Sequence, residues 1–145
     1  MRLLLDTGVL GWICHPRKHA DVRAWFRRAL RAHVFLVSEI ADYELRRELL
    51  RIGATVSLDG LDELARELTY VPVTTATWRS AAALWAGARS RGLVTAPPEA
   101  LDGDVLLAAQ AFEEDAAIVT TNTKHFEALS VPAFEWHAVP SEVAK

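Results

Sequence analysis

Four short, predominantly apolar runs, spaced so that helical patterns fall between them, constrain this chain more than any other feature. Leu3–Leu5, Val34–Val37, Tyr70–Val73 and Ala117–Thr120 read as strands, with Phe134–Trp136 as a fifth. Strands that are apolar along their whole length, rather than at alternate positions, are covered on both faces, which is the signature of a parallel sheet between helical layers. The intervening segments supply the helices. Thr7–Ile13, His19–Ala32, Glu39–Ile52, Leu58–Leu68, Ala76–Arg91 and Asp104–Asp115 carry helical spacing. Ser38 is placed to cap the third of these, with Gly53 just past its end. The stretch LVTAPPEAL, residues 93–101, reads as a loop. The expected architecture is three-layer α/β/α around a parallel sheet of four to five strands. No repeat, linker or compositional shift divides the 145 residues, so one domain over 1–145 is expected.

In an open parallel sheet, ligands bind beyond the carboxyl ends of the strands. Asp6 stands at such an end, directly after Leu3–Leu5, where an isolated carboxylate is costly unless it is paired, hydrogen-bonded or bound to a metal. Ser38–Glu39 and Thr120–Thr121–Asn122 occupy two further strand ends. Wound at 3.6 residues per turn, the helix after Ser38 has two polar stripes. Glu39, Asp42 and Arg46 form one, read as solvated; Glu44, Arg47, Glu48 and Arg51 form the other. The second stripe is bordered by apolar residues, so it is a candidate cleft wall, although the helix pattern alone favours a surface pairing of Glu44 with Arg47. In LDGDVLLAAQAFEED, Asp104 shares a face with Ala108 and Ala111, opposite Gln110, Glu113 and Glu114, and so points inward. Capping accounts for Asp102 better than for Asp104. Thr120, Thr121 and Asn122 can orient a carboxylate or water, or simply cap the next turn.

Asp6, Glu44, Asp104 and Asp102 thus converge on one end of the sheet. Several carboxylates in one pocket repel strongly unless a cation neutralises them, and oxygen donors select Mg²⁺ or Mn²⁺. Such ions serve phosphodiester hydrolysis. The charge balance is compatible with a polyanionic substrate. The net charge is −3, but residues 1–51 carry +4 and the remainder −7, with Arg17, Lys18, Arg23, Arg27, Arg28 and Arg31 crowded into one segment. That cluster is either a solvated helix face or a phosphate-facing patch. One cysteine, Cys14, permits no internal disulfide, and no apolar run spans a bilayer or precedes a cleavage site, so a cytoplasmic setting without membrane contact is expected.

On four blocks in order, LLLDTGVL, VSEIADYELRREL, LDGDVLLAAQA and IVTTNTKHF, the chain resembles the PIN-domain nucleases, and more narrowly the VapC-type toxin ribonucleases of toxin–antitoxin pairs. The resemblance covers essentially the whole length. It places the family's acidic positions on Asp6, Glu44 and Asp104, with Asp102 as a neighbouring carboxylate. The position after the fourth strand, often an aspartate in the family, is Asn122 here, which bears on whether one or two metal ions are held. The resemblance implies Mg²⁺- or Mn²⁺-dependent cleavage of RNA leaving 5′-phosphate and 3′-hydroxyl ends, a homodimer, and a small antitoxin partner.

Other readings compete. A phosphatase of the haloacid-dehalogenase type needs an aspartate two residues after Asp6, where this chain has Gly8. A catalytically silent PIN-like interaction module would reduce the carboxylates to caps and ion pairs. A metal-free site built from two of His15, His19, His33, His125 and His137 has no spacing in its favour. The five tryptophans follow helical spacing and read as core rather than as platforms for bases.

Overall fold

In the computed structural model, which describes residues 1–92 and 98–141, the chain folds as a five-stranded, all-parallel sheet covered on both faces by helices. The order along the chain is β1 (Arg2–Leu5), α1 (Thr7–Cys14), α2 (Ala20–Ala29), β2 (Val34–Ser38), α3 (Glu39–Ile52), α4 (Thr55–Glu67), β3 (Thr69–Val71), α5 (Thr75–Ser90), α6 (Pro98–Glu113), β4 (Ala117–Val119), α7 (Thr123–Ala128) and β5 (Ala133–Phe134), then a 3₁₀ turn at Trp136–Ala138. The strands lie in the order β3-β2-β1-β4-β5. The apolar strands divide their side chains between two cores, as a two-residue period demands. Leu3, Leu5, Phe35, Val37 and Val119 face the side of α1–α4, where Trp25 and Phe26 pack edge-on against Phe35. Leu4, Leu36 and Ile118 face the side of α5–α7. Among the described residues, no helix is long and apolar enough to cross a membrane.

The order of the strands positions the site. From β1 the chain builds outward through β2 and β3, then returns to add β4 and β5 on the opposite side of β1. The reversal leaves a crevice between the carboxyl ends of β1 and β4, the usual ligand position in such a sheet. Asp6 follows β1 and Thr120 follows β4, and the Asp6 N–H donates to Val119 O at 3.0 Å across that junction.

Several sequence expectations are corrected by packing. Of the loop expected at 93–101, residues 93–97 lie outside the described residues and the remainder is helical instead: α6 begins at Pro98, six residues before the expected start. Proline suits the first turn of a helix, where its missing N–H has no partner to lose. The short α7 was not expected from the sequence. The stripe Glu39–Asp42–Arg46 is not solvated: Asp42 is buried, accepting from Tyr70 Oη at 2.7 Å and from Arg46 Nε at 2.9 Å, while Arg46 also reaches Asp62 on α4. Glu39 accepts the Val73 N–H. Gln110 does not face outward either. It is fully buried and faces the sheet, where it bonds to the Ser38 hydroxyl and, through Nε2, to Val71 O at 3.0 Å. A buried carboxamide satisfied at both ends ties α6 to β2 and β3 just behind the crevice.

Candidate metal centre

Asp6 is the N-cap of α1. Its Oδ1 accepts the Thr7 N–H at 2.8 Å, so part of the cost of burying this carboxylate is met locally. Its other oxygen, Oδ2, accepts from Thr120 Oγ1 at 2.6 Å. Thr120 is fully buried, and its hydroxyl oxygen also accepts the Asn122 N–H at 2.9 Å. A short O–H···O⁻ bond from a buried hydroxyl fixes the carboxylate and lowers its pKa. Burial outweighs it, however, and the Asp6 carboxyl is pushed above its ordinary value.

The other predicted carboxylates reach the same cleft from two helices. Glu44 on α3 is half-buried, and its pKa is raised by burial and then by Asp6, with Arg47 opposing. The neighbouring Arg47 makes no ion pair with it at contact distance; its guanidinium lies 5.0 Å from the centre of the Tyr43 ring. Glu48 and Arg51, the rest of that stripe, are exposed and pair with each other. Asp104 on α6 is also half-buried, and burial with the nearby Asp6 and Glu44 raises it to about 6 against the opposing pull of His125. Gly103 is what lets α6 come this close. A Cβ there would stand 2.9 Å from Glu44 Oε1.

Asp6, Glu44 and Asp104 therefore stand within one another's electric fields, in a cleft of about 440 Å³ also lined by Asp102, Asn122, Arg47, Tyr43 and Trp78. Asp102 and Asn122 are exposed at its edge, and Asn122 caps nothing with its side chain. His125 is a member the sequence reading did not place: its Nδ1 lies 3.4 Å from Asp104 Oδ2. The signal available was TKHF, which puts an imidazole one helical turn beyond Asn122 once α7 is recognised. Among the described residues, no three histidine, cysteine or acidic side chains already meet at ligand distance. The donor set nonetheless fits a hard divalent cation. Three carboxylates destabilised by burial and mutual repulsion are all-oxygen ligands lacking only a positive partner, and the bare Gly103 gives Glu44 its place among them.

The family model for the PIN domain matches residues 3–131, from the first strand to beyond α7. The chain belongs to the PIN-domain family. Solved structures share the fold of this PIN domain. A VapBC2 complex from Rickettsia felis bound to a promoter DNA fragment matches with a TM-score of 0.76 at 20% identity, over 94% of this chain and 99% of that one. DNA-bound VapBC from Salmonella typhimurium matches at 0.75 and 18%, over 94% and 98%. FitAcB from Neisseria gonorrhoeae matches at 0.70 and 22%, over 94% and 99%. Comparison with curated protein sequences finds no match.

Proposed function

We propose that this PIN domain is a Mg²⁺- or Mn²⁺-dependent endoribonuclease, the toxin of a toxin–antitoxin pair. The observation that carries the reading is the trio Asp6, Glu44 and Asp104, each with its pKa raised by burial, in one open cleft at the switch point of the sheet. Without a cation such a group of carboxylates costs stability, so its presence is explained by what it binds. These three, with Asp102 at the edge, would hold the ion. When bound, a divalent ion activates water and neutralises charge developing on the phosphodiester oxygens.

The chain's own groups supply the rest. Thr120 and the Thr7 amide hold Asp6 at a fixed angle from both oxygens. Asn122, anchored to Thr120 through its backbone, presents a carboxamide for a substrate phosphate or a water. It offers no charge, so the Asn122 side of the cleft is a weaker cation position than the Asp104 side. Arg47 adds positive charge at the mouth. The toxin assignment and the small antitoxin partner rest on the sequence blocks together with the shared fold of the toxin–antitoxin complexes, and the homodimer on the sequence blocks alone.

The test is cleavage of single-stranded RNA by the purified protein with Mg²⁺ or Mn²⁺. Products carrying 5′-phosphate, lost with EDTA and in Asp6→Asn and Asp104→Asn, are expected. EDTA-resistant cleavage would move the chemistry to the histidines, and no cleavage with any cation would leave a silent interaction module.

A further inference from the structure

The two walls of the cleft each expose a large aromatic ring, which the sequence reading did not anticipate. Of the tryptophans, Trp25 is buried and Trp12 and Trp136 pack against the core, as expected. Trp78 does not: it is 57% exposed on α5 and lines the same cleft as the carboxylates. Across the cleft, Tyr43 on α3 is 59% exposed, one residue before Glu44, with the Arg47 guanidinium against its ring. The wall formed by α5 continues away from the carboxylates as an open groove past Ala81 and Ala82 to Trp85. Trp85 is 37% exposed, and Arg89 lies 4.8 Å from its ring centre. Seven residues separate Trp78 from Trp85, two helical turns or about 10.5 Å.

Trp78 thus leaves more than half of its surface open to water beside the carboxylates. Its flat face is what an unstacked nucleobase requires, whatever the base. An arginine four residues after an aromatic, laid along the ring, keeps its donors free for phosphate while the ring takes the base. Both walls carry that pairing, at Tyr43–Arg47 and at Trp85–Arg89. We propose that Tyr43 and Trp78 are the base platforms of a single-strand track, which lays unstacked nucleotides across the carboxylate cleft and along α5 toward Trp85. Paired bases in a duplex keep their faces against one another and cannot use these rings. The track selects single-stranded segments and ends. This inference rests on the nuclease reading for the identity of the strand as RNA.

The experiment measures binding separately from cutting. A fluorescein-labelled, unstructured RNA of about 12 nucleotides is titrated by polarisation in an Asp104→Asn background, alone and annealed to its complement. Trp78→Ala and Tyr43→Ala are each expected to weaken single-strand binding about ten- to hundred-fold, with Trp78→Phe retaining most of the affinity. Melting temperature is expected to stay within a degree or two, because both rings are exposed. The duplex should bind more weakly and be indifferent to either substitution. Unchanged single-strand affinity in both alanine variants would overturn the proposal and leave the rings as a face for a protein partner. A strand bound in a Trp78-dependent manner but never cut by the wild type with Mn²⁺ would support the track while refuting the nuclease reading.

Discussion

Gly103→Ala should make this protein more stable and a poorer metal binder. Gly103 lies inside α6, where replacing glycine by alanine favours the helix by about 1 kcal/mol. In a domain of this size that raises the melting temperature by about 2–4 °C. The new methyl carbon, however, would sit 2.9 Å from Glu44 Oε1, whereas ordinary contact begins at 3.4 Å. Glu44 must withdraw by about half an ångström or more, well beyond the ~0.2 Å tolerance of a ligand distance. Its carboxylate is the free end of a flexible side chain, so the fold gives way there at little cost. Displacing one oxygen donor by this much should lower Mn²⁺ affinity about 10- to 100-fold. Thermal unfolding in EDTA and calorimetric titration with Mn²⁺ read the two effects separately. Gly87→Ala on α5, where a Cβ meets nothing within 4 Å, is the control and should change stability alone. Unchanged Mn²⁺ affinity in Gly103→Ala would refute the assignment of Glu44 to the metal centre. A lowered melting temperature would show instead that the methyl meets something rigid.

Three further outcomes follow from the same geometry. The Asp104 carboxyl is raised from 3.8 to about 6 in the folded chain, so the folded state binds its proton more tightly than the unfolded state. Its contribution to stability is therefore complete below about pH 4 and is lost as pH rises through about 6. Asp104→Asn should stabilise the metal-free protein at pH 7.5 by about 1–2 kcal/mol, after discounting for solvent screening. Denaturant unfolding should show that gain vanish near pH 4. Thr120→Val removes the buried hydroxyl that donates to Asp6 Oδ2. It should cost about 1.5–3 kcal/mol, raise the Asp6 pKa further, and weaken Mn²⁺ binding in calorimetry. Gln110→Leu strands Val71 O and the Ser38 hydroxyl behind the crevice, and should cost about 2–3 kcal/mol in denaturant unfolding without changing which cation is bound.

The sheet was legible in the sequence because its strands are short apolar runs without polar alternation, separated by helical patterns. Asp6 was legible because a carboxylate at the end of such a strand has no cheap explanation. Asp104 was readable from the packed face of its helix, whereas Glu44 lay on a polar stripe that only its apolar borders marked as a candidate cleft wall. What escaped the sequence depends on partners far along the chain. Asp42 looks solvated until Tyr70, 28 residues on, supplies a hydroxyl. Gln110 looks outward-facing until Ser38 and Val71, 72 and 39 residues away, take up its carboxamide. Thr120 shows its purpose only when β4 is set beside β1 and its hydroxyl meets a carboxylate 114 residues away. Trp78 keeps helical spacing like a core residue, and only the packing of α5 over α6 decides which of its neighbours remain open to water.

The central claim is that Asp6, Glu44 and Asp104 together hold one divalent cation. Calorimetric titration of the metal-free protein with Mn²⁺ at pH 7.5, on the wild type and on Asp6→Asn, Glu44→Gln and Asp104→Asn, tests it most directly. Saturable binding by the wild type is expected, with its loss or severe weakening in every variant and folding intact by circular dichroism. Wild-type protein that binds no Mn²⁺, or variants that bind it as the wild type does, would contradict the account.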